Sequence, residues 1–382
     1  MKTPILLGRG LGLFLGLASI FLALPGRAEN IVGAVYTMTN ALTGNAVLVF
    51  NRAADGTLTP AGSFSTGGLG SGGREPDFGL GNATALAFSG EDRFLFVVNP
   101  GSDDLSVFAV QQPGLRLVDR IGAGGRQPLS VAVFQNLVYV LNAGGSVGDS
   151  DNISGFTFDA RGRLTALNNS TQPLSADITA PAQIGFSPDG KVVIVTEKST
   201  SNIDTYPLDH TGRPTAHIVT PSDAITPFGF YTTNGNQLFV SDDFNDVPNL
   251  GAMSSFLIGD DGHLTLVSSA IPAFADFACW VVASNDGRFV FLVNTGSGTI
   301  SRYRVDRGSA EITLQGSFPS PTAPTDLDFS RDGRFLYALN PDQDGVSSPG
   351  INAFFFNHEN GNLTPLAGVS GLPSSVDGLV VR

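Results

Sequence analysis

The chain has 382 residues, 42% of them hydrophobic and only 14% charged, with a formal net charge of −13. That apolar share is ample for a large core, while 47 Gly and 23 Pro argue against long helices. The acidic balance excludes duplex nucleic acid and anionic membrane surfaces as partners, because both would be repelled.

The first 28 residues read as a secretory signal peptide. Lys2 and Arg9 precede the apolar run "LGLFLGLASIFLAL", and Gly26 and Ala28 supply small residues before a cut after Ala28. The run is shorter than a membrane span requires, and no later segment is a transmembrane candidate. Export to the periplasm or the exterior follows, with no membrane span after cleavage. Removal of Lys2, Arg9 and Arg27 leaves 18 basic residues against 34 acidic ones, a net charge near −16. The single cysteine, Cys279, cannot form an intramolecular disulfide. It reads as a small buried hydrophobe, since no neighbouring His marks it as a catalytic thiol.

The mature part, residues 29–382, is a repeat. A phrase of apolar residues ending on a polar one recurs as "FLFVVNPG", "LVYVLNAG", "FVFLVNTG" and "FLYALNPD". Its anchors Phe96, Tyr139, Ile194, Phe239, Phe291 and Tyr337 are spaced 43, 55, 45, 52 and 46 residues apart. This is the period of propeller blades. A seventh copy, "VGAVYTMTN", opens the mature chain at Val32. Each unit holds four short runs rich in Val, Ile, Phe, Tyr and Thr, which read as strands A to D. Pairs such as Asp189-Gly190 and Asp332-Gly333 join A to B, and Asp55-Gly56 and Asn360-Gly361 join C to D. These are tight hairpin turns. The B–C and D–A connections are longer, so one face carries tight turns and the other carries variable loops.

The copies are out of register with the termini. The mature chain begins at a B run and ends on an A run, "SSVDGLVV". The expected fold is therefore all-β: seven four-stranded antiparallel blades, the ring closed by pairing of the N- and C-terminal strands.

"FSPDGKVVIVTEK", "FSRDGRFLYALN", "DGTLTPAGSF" and "GNLTPLAG" make the whole mature chain resemble the lactonase-type seven-bladed propellers. That group holds bacterial 6-phosphogluconolactonase and fungal carboxymuconate lactonizing enzyme. The resemblance implies lactone hydrolysis by a Glu at a blade position like that of Glu197, with His and Arg nearby. The His does not carry over: His210 and His358 fall in C–D turns, and His217 and His263 on outer D runs. A phosphorylated lactone would want an Arg or Lys cluster, against the acidity of the chain.

The terminal residue of run B is Asn99, Asn142, Asn294 or Asn340 in four copies, but Glu197 and Asp242 in two neighbouring ones. An Asn there satisfies turn backbone. The two carboxylates read as a general base with a second acid, or as a cation-ligand pair, meeting over the channel mouth, or else as turn caps with Lys198 as counter-charge. Lys198 or Arg74, in the long loop 65–82, would stabilise an oxyanion. Asp243, Asn245 and Asp246 offer oxygen ligands for a calcium ion, although solvated acidic loops are the alternative. On the A runs, Gln183, Cys279, Asp326 and Asp377 would line a narrow, wet channel, and Trp280 would pack between blades. "GGSVG" (144–148) and "GLGSGG" (68–73) lack the following helix that a nucleophile elbow or phosphate loop requires.

The leading functional expectation is an exported, monomeric lactonase-family propeller acting on a lactone or small carbohydrate-like ligand at the variable-loop face. The alternatives are a non-catalytic envelope scaffold binding another protein, and a calcium-dependent binding module. No other cofactor is implied.

Overall fold

The computed structural model describes residues 30–72, 82–111, 114–144, 149–320, 323–341 and 348–382. The proposed signal peptide and Arg74 lie outside them. Among the described residues there is no helix, and hence none long and apolar enough to cross a membrane. From Ile31 onward the chain forms one compact unit of seven antiparallel sheets. It is the all-β seven-bladed propeller that the repeat implies.

The ring closes as the register of the termini requires. Asp377–Val381 is strand A of blade 1, pairing with Ile31–Met38, which continues to Ala46–Ala53 and Leu58–Ser65. The following blades run in chain order, each from an inner strand A to an outer strand D. Blade 3 departs from the plan: its outer strand is broken into Leu164–Ala166 and Gln172–Pro173, both paired to the C strand Asn152–Phe158. The B strands are sandwiched between neighbouring blades, so all six residues of Phe94–Asn99, Val192–Glu197 and Phe335–Asn340 are buried. Full burial of each large apolar side chain contributes roughly 1.5–3 kcal/mol.

The turn chemistry also locks blade to blade. Gly190 has φ 73°, and a Cβ there would lie 2.1 Å from the Phe134 ring of the preceding blade. The Gly56 turn of blade 1 rests in the same way on Phe335 of blade 7, and the Tyr337 hydroxyl donates to its carbonyl at 2.8 Å. Tyr139 of blade 3 donates to Gly212 O of blade 4 at 2.7 Å.

The variable-loop end is less regular. Thr84, Gln127, Ala180, Thr226 and Phe277 all have positive φ, each just before an A strand enters its sheet. For β-branched or bulky residues this is a strained conformation. In blades 3 to 6 the register then shifts at the head of the strand. In blade 2 the approach segment passes within the ring: Ala83 N–H donates to Ala182 O at 3.0 Å, and the Trp280 indole donates to Asn82 O at 2.9 Å. Asn82 also bonds Leu129 O. These contacts reach the A strands of blades 3, 4 and 6. At this level the backbone of Asn82 and Ala83 and the Trp280 indole lie among the inner strands. Trp280 packs between blades as expected, edge-on to Phe228 of blade 5 with centroids 5.0 Å apart.

The closing strand supplies a direct test. A chain ending at Ser374 is expected to lose cooperative thermal unfolding by circular dichroism, because strand B of blade 1 loses its inner partner.

Candidate functional site

The two carboxylates that replace Asn do not meet. Glu197 ends strand B of blade 4 and is 0% exposed. Its Oε1 accepts from Ser175 N at 2.9 Å, and its Oε2 accepts from the Ser175 and Thr200 hydroxyls. The broken outer strand of blade 3 allows Ser175 to reach it. Burial, then the adjacent Asp204 carboxyl, pushes Glu197 up to about 7. Asp204, in turn, is bonded to His217 Nε2 at 2.7 Å, and that ring stacks on Tyr206 at 4.7 Å. His217 thus joins the Glu197 network through Asp204. The polar Asp204 inside the run "NIDTYP" was the available signal.

Asp242 ends strand B of blade 5 and is also 0% exposed. Ser254 donates to its Oδ2 at 2.6 Å, while its Oδ1 has no partner among the described residues. Burial raises it to about 7. Neither of these carboxylates figures among the charges acting on the other. Glu197 is held by Ser175 and Thr200, and Asp242 by Ser254.

One residue further along each strand, pleating reverses the direction. Lys198 and Asp243 point the opposite way and interact. The Lys198 ammonium lies 5.0 Å from the centroid of the Phe228 ring. Burial lowers it to about 8, opposed by the charges of Asp243 and Asp246. Burial and Asp246 push Asp243 up to about 7. Three successive residues with left-handed backbone, Phe244, Asn245 and Asp246, fold the chain back so that Asp246 N–H donates to Asp243 Oδ2 at 3.3 Å. Asp243 Oδ1 is buried without a hydrogen-bond partner among the described residues. Cys279 joins this group from blade 6; burial raises its thiol well above the usual range. Blades 4, 5 and 6 thus bring together an ammonium, an acid pair and a thiol beside an aromatic wall.

The trio expected to ligate calcium is not gathered. Asn245 Oδ1 accepts from Thr226 Oγ1 at 2.6 Å, leaving two carboxylates facing a lysine. Among the described residues no three His, Cys, Asp or Glu side chains group as metal ligands. Gln183 is occupied in bonding both the N–H and the C=O of Phe230. Asp326 and Asp377 occupy neighbouring blades as expected. Asp326 accepts from Leu327 N and Leu379 N, and burial followed by Asp377 raises its carboxyl. Asp377 accepts from Gly378 N at 2.8 Å and is pushed up to about 7 by burial.

The architecture and an ionisable group at the loop end of the ring define a propeller with a site where its blades converge. The chain belongs to the family described as "Lactonase, 7-bladed beta-propeller", whose profile matches residues 34–173 and 260–377. The intervening segment, outside the match, carries Glu197, Lys198, Asp242, Asp243 and Asp246. A comparison with curated proteins gives no match. Among solved structures, the chain is similar to the Pseudomonas aeruginosa periplasmic gluconolactonase, with TM-score 0.71 and 17% identity over 91% of this chain and 98% of that one. It is similar to a putative 6-phosphogluconolactonase from Bacteroides fragilis, with TM-score 0.68 and 15% identity over 92% and 98%. A protein from Lactobacillus plantarum gives TM-score 0.72 and 17% identity over 92% and 100%. These identities speak to the fold.

Glu197 gives a pH test. A carboxyl raised from 4.5 to about 7 keeps its proton in the folded state after the unfolded chain has lost it. Its contribution to stability therefore falls as pH rises through that window and levels off above it. Glu197→Gln is expected to show a smaller drop in melting temperature than the parent between pH 5 and pH 8. Equal drops would assign the pH dependence to other buried acids.

Proposed function

We propose that the protein is an exported lactone hydrolase acting on a small sugar-like lactone at the variable-loop end of the ring. Membership of the lactonase family supports the reaction class, and the name of the Pseudomonas aeruginosa relative supports both a sugar lactone and the periplasm. The observation that carries the reading is the placement of Lys198 against Asp243 and Asp246.

In this reading Asp243 replaces Glu197 as the base, because Glu197 is enclosed with both oxygens bonded. Asp243 removes a proton from water as the water oxygen attacks the lactone carbonyl. The Lys198 ammonium holds the oxyanion that develops. The ring C–O bond then breaks, and the leaving oxygen takes a proton from the Asp243–Asp246 pair, giving the open hydroxy acid. Phe228 offers an apolar face for the sugar ring. Arg74 is a second cation for this step in the proposal, in the loop before Asn82.

A panel of aldonolactones tests the proposal. The mature protein is expected to hydrolyse at least one, and Asp243→Asn and Lys198→Met to lower kcat/KM by about a hundredfold or more. The rate should climb as Asp243 deprotonates near pH 7 and fall as Lys198 loses its proton near pH 8. Loss of activity in Glu197→Gln but not in Asp243→Asn would return the base to Glu197. Hydrolysis of no lactone by the parent protein would sink the reading.

A further inference from the structure

We propose that the cavity between blades 2 and 3 on the tight-turn face binds a small organic anion bearing phosphate or sulfate groups. The cavity, about 500 Å³, is lined by Arg93, Arg116, Arg161 and Arg163 over a floor that includes Phe94 and Val118. Four arginines line one cavity in a chain whose formal net charge is −13. Their forked N–H groups match tetrahedral oxyanions, and the apolar floor suits an organic skeleton.

The donors are available. Arg93 uses one nitrogen on Ala160 O at 2.9 Å, tying blade 2 to the turn of blade 3. The guanidinium groups of Arg116, Arg161 and Arg163 make no hydrogen bond or ion pair with the described residues. Nearby carboxylates serve the backbone instead. Asp159 Oδ1 accepts from the main-chain N–H of Arg161 at 2.8 Å and of Arg163 at 2.9 Å. Asp119 Oδ2 accepts from Leu164 N at 2.8 Å. These bonds shape the turn that presents the two arginines, whose charges also help to hold the Asp159 carboxyl low while their guanidinium N–H groups keep their donors.

The groove between blades 6 and 7 provides the contrast. Arg288, Arg302 and Arg304 crowd Phe289 there. Arg288 is paired with Asp286 at 2.6 Å, and Arg302 donates to Asn360 O and to Asn362 Oδ1. Arg302 thus spends its donors on the neighbouring blade, as Arg93 does, whereas Arg116, Arg161 and Arg163 do not. Like charges held together repel, and a bound anion relieves that repulsion. The cavity lies on the face opposite Lys198, so the assignment is independent of lactone hydrolysis.

Calorimetric titration of the mature protein with pyrophosphate, inorganic phosphate and sulfate, each at constant ionic strength, tests the site. Saturable binding of at least one is expected, with a dissociation constant below about 1 mM, weakened about tenfold or more in the double variant Arg116→Gln, Arg161→Gln. Preference between phosphate and sulfate identifies the group recognised. Absence of saturation with all three, or unchanged affinity in the double variant with its melting temperature preserved, would overturn the proposal. Sedimentation with phosphatidylglycerol vesicles without binding of the free anions would overturn the assignment to a small soluble ligand.

Discussion

The inner strands must lie close enough to bond one another around the ring, and the rest of the molecule depends on that approach. Each A strand has one edge paired within its own blade, leaving main-chain groups on the other edge near the neighbouring blade. Buried side chains answer them: Gln183 for Phe230, Ser241 for Cys279 O, Asp326 for Leu379 and Asp328 for Val381. The last two bonds stitch the closing strand to blade 7. An unpaired buried main-chain group would cost free energy, so these polar residues are structural partners of the ring closure. Burial raises Asp326 and Asp328, yet backbone N–H donors oppose the shift. The pull of burial and the pull of the amides meet on the same carboxyl groups.

The same close packing separates two kinds of carboxylate at the loop end. Glu197 and Asp242 face the interior of the blades, where hydroxyl groups bind them. Lys198 and Asp243, the next residues, face the ring and each other. A one-residue step along a pleated strand therefore divides structural acids from the group assigned to chemistry. The left-handed stretch Phe244–Asp246 makes the second group possible by returning Asp246 to Asp243. Strained backbone of this kind persists only where surrounding contacts over-determine it. Here Thr226 does so, bonding Asn245 through its hydroxyl and Asp243 through its carbonyl.

The two faces of the propeller differ in consequence. Tight turns leave little freedom for substrate-sized insertions, but side chains projecting from adjacent turns still enclose the arginine-lined cavity. The variable loops can enter the ring, as Asn82 and Ala83 do. The segment outside the family match, residues 174–259, spans blade 4 and the first three strands of blade 5 and supplies most of the proposed catalytic group. The propeller geometry thus frames a proposed site drawn from blades outside the family match.

Blade number, strand order, ring closure and turn positions were legible in the sequence alone. Apolar runs of strand length, Gly at positive-φ turns and termini offset by one strand are local properties, and seven copies repeat them. The anomaly of Glu197, Lys198 and Asp242 was visible as a departure from sibling Asn residues. Its geometry was not, because the direction of a side chain at a strand end depends on pleat and on the neighbouring blade. The partnership of Asp204 with His217, the turn that pairs Asp243 with Asp246, and the passage of Asn82 through the ring join residues distant in sequence or bent by unusual backbone. Only tertiary packing decided these, since it alone determines which polar groups lose water and which partners remain within reach.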